Sequence, residues 1–131
     1  MRSIPIGAKA SFALVVAPDH LANRFKDAML PPVLATPVMI MMMENAALNA
    51  IKPYLDEGES AVGTHVDVVH QAPTPEGLRV TASAEVTQVD GQGIDFRIEA
   101  TDATQVIGTG THERRVINLA KFSQRLKTPD K

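Results

Sequence analysis

No cysteine occurs anywhere in the 131 residues. That absence removes disulfide scaffolds, thiolate zinc sites and cysteine nucleophiles from consideration. No apolar run approaches the ~18 residues that a membrane span needs. The opening Met1-Arg-Ser-Ile-Pro-Ile-Gly7 leads directly into folded-looking sequence, without the apolar core of a signal peptide. Neither sign of charge dominates, since 13 Lys and Arg against 15 Asp and Glu leave a net charge of −2. Such a balance gives no argument for nucleic acid or an anionic membrane surface as partner. Histidines and carboxylates show no ligand spacing such as His-Glu-x-x-His, so no metal is expected, and no cofactor is implied. Repeats and low-complexity segments are missing as well. What remains is the expectation of one domain over residues 1–131, with a single core, in a cytoplasmic protein.

The most informative stretch runs from Thr36 to Lys52. Thr36 suits an N-cap, Pro37 the first helical position, and Pro53 ends the segment. Met, Leu, Ala and Glu between them favour helix. From Val38 to Ile51 the helix is apolar almost all round, which predicts burial. The methionines at 39, 41, 42 and 43 read as core filler. Into this segment falls one carboxylate, Glu44. Taking an ionised carboxylate out of water costs several kcal/mol unless it is paired or protonated. Glu44 therefore either reaches solvent, is neutralised by an arginine such as Arg97 or Arg114, or is used chemically.

The rest alternates with period two. Ala8–Ala17 reads as a strand with Phe12, Leu14 and Val16 on one face, and Asp19–Arg24 as a short helix. The loop Phe25–Pro32 delivers the chain to the central helix. Ala61–Ala72 is the next strand, with Thr64, Val66, Val68 and His70 assigned to the core side. Leu78–Val89 points Val80, Ala82, Ala84 and Val86 inward. Asp90-Gly91-Gln92-Gly93 signals a hairpin into Ile94–Thr101, with Ile94, Phe96, Ile98 and Ala100 inward. Gln105–Asn118 is the last strand, placing Gly108, Gly110 and His112 on one face. Leu119–Leu126 is a short amphipathic helix, and Lys127–Lys131 should fray. Four consecutive strands on short connections predict an antiparallel sheet in chain order. A single sheet around one helix leaves an edge and part of the helix uncovered, which a homodimer would satisfy.

A strand, a long apolar helix and a wrapping antiparallel sheet make an α+β chain that resembles the hotdog fold, with about five strands around one buried helix. Ala35-Thr36, Met43-Glu44, Tyr54-Leu55, Glu57-Gly58-Glu59, Gly63-Thr64, His70, Gly108-Thr-Gly-Thr-His-Glu-Arg114 and Lys121-Phe122 resemble the fluoroacetyl-CoA-thioesterase-like branch of hotdog thioesterases. The resemblance covers roughly residues 5–128. It implies hydrolysis of a small acyl-CoA thioester by a dimer. It also implies a hydroxyl at Thr36, a carboxylate at Glu44 and an imidazole at His70 as catalytic groups, and a Gly63 amide to polarise the carbonyl. Members selective for the fluorinated substrate carry phenylalanines before the helix, where this chain reads Asp27-Ala-Met29-Leu30, so a general small acyl-CoA substrate is expected.

Each residue also has a structural reading. His70 could be a satisfied half-buried histidine, Thr36 only a cap, and Gly63 only a bulge. Arg114, with Arg115, Lys121 and Arg125, could meet CoA phosphates or simply be solvated. His20 and His65 suggest no role. Thr36 and Glu44 are separated by eight residues, roughly 12 Å along a helix axis, too far for a direct hydrogen bond on one straight helix. That separation favours a site at a dimer interface. The rival readings are a hotdog enoyl-CoA hydratase or dehydratase, which would carry a histidine before the helix, and a non-catalytic acyl-CoA-binding dimer.

Overall fold

The strict alternation of Val80, Ala82, Ala84 and Val86, continued by Ile94, Phe96, Ile98 and Ala100, gives two strands that each bury one face completely. The computed structural model describes residues 1–127 and builds them around these strands. In order come β1 (Lys9–Val15), a one-turn helix α1 (Ala22–Phe25), α2 (Thr36–Ile51), β2 (Glu59–His70), β3 (Arg79–Asp90), β4 (Gly93–Thr101), β5 (Val106–Asn118) and α3 (Leu119–Lys127). Lys127, expected to open a fraying tail, instead closes α3, and the rest of that expectation, residues 128–131, lies outside the described residues.

All strands pair antiparallel in the spatial order β1-β3-β4-β5-β2. This corrects the chain-order sheet. β3, β4 and β5 form a meander, closed at one hairpin by Gly91 at φ 61°, but β2 pairs with β5 and not with β3. The reason lies in residues 71–78. Pro73 and Pro75 cannot donate to a ladder, and Thr74 is wholly buried, its hydroxyl donating to Asp102 while its carbonyl accepts from the Leu34 amide. This tied segment carries the chain across the end of the sheet, where a hairpin would have reversed it.

α2 lies on the concave face. Val38, Met39, Met42, Met43, Ala46, Ala47, Ala50 and Ile51 are buried against the sheet. The helix approaches closely because the strands beneath present Ala82, Ala84, Ala100 and Gly108. Ile40, Met41, Glu44 and Leu48 occupy the other side and stay partly open, so within one chain the helix is buried on its sheet side only. Ala35, not Thr36, is the N-cap, and Thr36 is the first helical residue. Its hydroxyl is thereby free for another partner.

β2 holds a second correction. Gly63 pairs with Arg114 and His65 with Glu113, leaving Thr64 as an extra, bulged residue. Thr64 is exposed and its hydroxyl donates to the Glu113 carbonyl. Upstream of the bulge the inward positions are Ala61 and Gly63. Downstream they are Val66, Val68 and His70, as the alternation predicts.

Gly108 tests the close helix seat. A Cβ there would lie 2.6 Å from Met39 Sδ and 3.2 Å from the Val69 carbonyl, so moving Met39 alone cannot relieve it. Gly108→Ala is expected to keep the fold but lose about 1–3 kcal/mol, read as a lower urea midpoint at unchanged slope.

Candidate active site

The candidate residues gather in two clusters on the open side of α2, one at its start and one near its middle. The first stands at its start. Because Ala35 takes the cap position, the Thr36 side chain is free to meet His70 at the end of β2, with Oγ1 and Nδ1 2.7 Å apart. Both line a cleft of about 340 Å³ walled by Leu30, Val33 and Leu34, with Lys26 at its margin. His70 Nε2 is buried and has no hydrogen-bond partner among the described residues. Desolvation pushes the His70 pKa below its ordinary value, opposed by a backbone interaction at Ala72. The ring is therefore neutral at physiological pH, the form that can accept a proton.

The second cluster lies two turns along α2. Glu44 Oε2 stands 3.9 Å from Arg114 Nη1, an ion pair without a hydrogen bond, and the Glu44 side chain keeps 39 % of its exposure. The carboxylate therefore both reaches solvent and has an arginine nearby. Arg97 is engaged elsewhere, donating to Glu85 at 2.6 Å. Gly63 lies against the same group. A Cβ on it would fall 2.7 Å from Glu44 Oε2, 3.3 Å from His112 Cε1 and 3.4 Å from Arg114 Nη1, so a side chain there would displace the carboxylate. Gly63 thus serves close approach, and the bulge belongs to its neighbour Thr64.

Arg114 is not one of a set of surface cations. It is buried on the inner face, while Arg115, Lys121 and Arg125 are exposed and line a separate hollow with Phe122. Parity along β5 carries the signal: positions 112, 114 and 116 share the buried face with Gly108 and Gly110. The same parity marks His112, which is wholly buried and to which the sequence reading assigned no role. Burial is the largest influence on His112 and lowers its pKa, with Arg114 adding to the effect and the His65 carbonyl, Glu44 and Glu113 opposing it.

One chain thus brings Thr36 and His70 together and, separately, Glu44, Gly63, His112 and Arg114. The curled five-strand antiparallel sheet around one long helix is the hotdog architecture of the thioesterase superfamily. More narrowly, the chain belongs to the fluoroacetyl-CoA-specific thioesterase (FlK) family, whose pattern it matches over residues 16–120. It is 46 % identical to the fluoroacetyl-CoA thioesterase of Streptantibioticus cattleyicolor over 95 % of this chain and 94 % of that one. A crystal structure of the fluoroacetyl-CoA thioesterase FlK superposes with a TM-score of 0.91 at 36 % identity, covering 98 % of this chain and 99 % of that one. A phenylalanine-to-alanine variant of the same enzyme, crystallised with fluoroacetate and CoA, matches with a TM-score of 0.85 at 40 % identity over 90 % of this chain and 98 % of that one.

The buried His112 and the half-buried His70 set a pH dependence of stability. Both have folded-state pKa values below the ordinary 6.5, so the unfolded chain binds more protons as the medium acidifies. Their stabilisation is complete above about pH 6.5 and is lost as pH falls through the lowered folded values. The melting temperature is expected to drop between pH 7.5 and 5, and to drop less in His112→Gln. An equal drop in that variant would remove His112 as a source.

Proposed function

We propose that the protein hydrolyses small acyl-CoA thioesters as a homodimer, with each active site assembled from both subunits. The observation that carries this reading is the 2.7 Å contact between Thr36 Oγ1 and His70 Nδ1 at the wall of a cleft, while the only carboxylate on the open side of α2 stands about 12 Å further along the helix. β2 is an edge strand of 12 residues whose outer ladder has no strand partner among the described residues. Antiparallel pairing of two such edges about a two-fold axis sets the Gly63 half of one against the His70 half of the other. The Thr36–His70 pair of one subunit then meets the Glu44 cluster of its partner. The same pairing covers Met41 and Leu48, which lie on the uncovered side of the helix.

The chemistry follows from the groups. A thioester carbonyl is already reactive, so the site must deliver a nucleophile, hold the oxyanion and let the thiolate leave. Thr36 and His70 are held together at the cleft, and through this pair the imidazole exchanges a proton with the reacting group. The partner's Glu44 supplies the negative charge that activates water. The Gly63 amide and the Arg114 guanidinium polarise the carbonyl. Leu30 and Val33 give the acyl end an aliphatic wall, which suits small acyl groups generally, fluoroacetyl among them.

Thr36→Ala, Glu44→Gln and His70→Ala are each expected to lower kcat/KM for CoA release by roughly 10²-fold or more. With the imidazole pKa lowered by burial, the acidic limb of the wild-type profile should fall below pH 6.5. Subunit mixing tests the shared site. Glu44→Gln and His70→Ala chains refolded together at equal ratio should recover about a quarter of wild-type activity, because half the dimers carry one intact site. No recovery from a mixture shown to contain heterodimers would place all groups in one subunit. Hydration of crotonyl-CoA in preference to CoA release would favour a hydratase, and saturable binding without turnover a binding protein.

A further inference from the structure

We infer that His112 is a positioning residue: a neutral imidazole protonated on Nδ1 that tethers the Arg114 guanidinium and so holds it off Glu44. The inference rests on the thioesterase reading for its consequence, but its geometry stands without it.

His112 is wholly buried and stacks on Phe96, with ring centroids 5.8 Å apart at 27°. Its Nδ1 lies 2.7 Å from the His65 carbonyl, which can only accept, so the proton must sit on Nδ1. Its Nε2 lies 3.2 Å from Arg114 Nη1, which can only donate, so Nε2 must be bare. Two independent partners, from different strands, therefore demand one and the same tautomer. A charged ring is excluded by the same geometry, since its Nε2–H would face the Arg114 N–H.

The consequence falls on Arg114. Nη2 donates to the Ala61 carbonyl at 2.8 Å and Nη1 to His112, which leaves Glu44 Oε2 at 3.9 Å. A guanidinium beside a carboxylate otherwise closes to a bidentate pair at about 2.7–2.9 Å. Here two acceptors fixed in the sheet pin the fork before it can close. Glu44 keeps the field of a nearby cation without surrendering its lone pairs to it, and an acid that must act on substrate needs its lone pairs free. Four elements pack around the ring and set this balance. Arg114 and Glu113 come from β5, Glu44 from α2, and the His65 carbonyl from β2, while β4 contributes only the Phe96 ring.

The test combines a spectroscopic signature with kinetics. Nitrogen-15 NMR of the histidine rings in the unaltered protein at pH 7 should show His112, assigned by its loss in His112→Gln, protonated on Nδ1 and bare on Nε2. A ring protonated on Nε2, or on both nitrogens, overturns the inference whatever the activity. In turnover, His112→Phe keeps the ring stack but accepts nothing, and should lower kcat by ~10-fold or more while KM changes much less. His112→Gln, whose amide oxygen can accept from Arg114, should recover most of that loss. In an Arg114→Met background His112→Phe should have little further effect, as groups acting through one another are not additive. Equal losses in both backgrounds, or no recovery with Gln, would mark a merely structural histidine and overturn the inference. Because the tautomer is read on the native chain, it decides even where His112→Phe does not fold. An enzyme with the expected tautomer but no CoA release from any acyl-CoA would sink the thioesterase reading and leave the tether intact.

Discussion

The seat of α2 on the sheet is the constraint from which the rest follows. The helix packs chiefly against β1 and β3, its methionines and alanines meeting Ala82 and Ala84 of β3, while Gly108 of β5 makes room for Met39. Placed there, it cannot also cover the side toward β2. The uncovered strip runs from Thr36 past Glu44 to Leu48, and it carries every polar group that the helix contributes to the site. Small side chains in the sheet thus determine where chemistry can happen, although none of them takes part in it.

That placement also resolves the electrostatic difficulty of a carboxylate in an apolar helix. A fully enclosed Glu44 would face a desolvation cost of several kcal/mol. In one chain it stays half-open, with a cation at ion-pair distance. Its partial burial in the single chain thus falls where Arg114 is in position to share the charge. The neutral state of His70 and His112 belongs to the same logic, because each ring has lost solvent and neither has gained a carboxylate hydrogen bond.

Much of this was legible in the residues. The period-two alternation located β3, β4 and β5 and their inward faces correctly, and the Asp90–Gly93 turn was read from its glycines alone. The residues also singled out Thr36, Glu44 and His70, and the eight-residue interval accords with Thr36 meeting His70 while Glu44 meets Arg114. What escaped was what periodicity cannot carry. Strand order was misjudged because the Pro73–Pro75 segment looks like a turn, while its buried Thr74 is visible only in three dimensions. Arg114 was grouped with surface cations although its parity matched His112, because charge was weighed above alternation. The N-cap was assigned to Thr36 because hydroxyls usually cap, and here the hydroxyl is turned to His70.

The extra residue at Thr64 reaches further than a local kink. Gly63 and His70 lie seven positions apart, an odd interval, and in an uninterrupted strand they would point to opposite sides of the sheet. With one residue looped out, both turn toward the helix. The length of chain between them is therefore quantised: relatives can gain or shed residues there only in steps that preserve the parity, or else lose either the glycine or the imidazole to the outside.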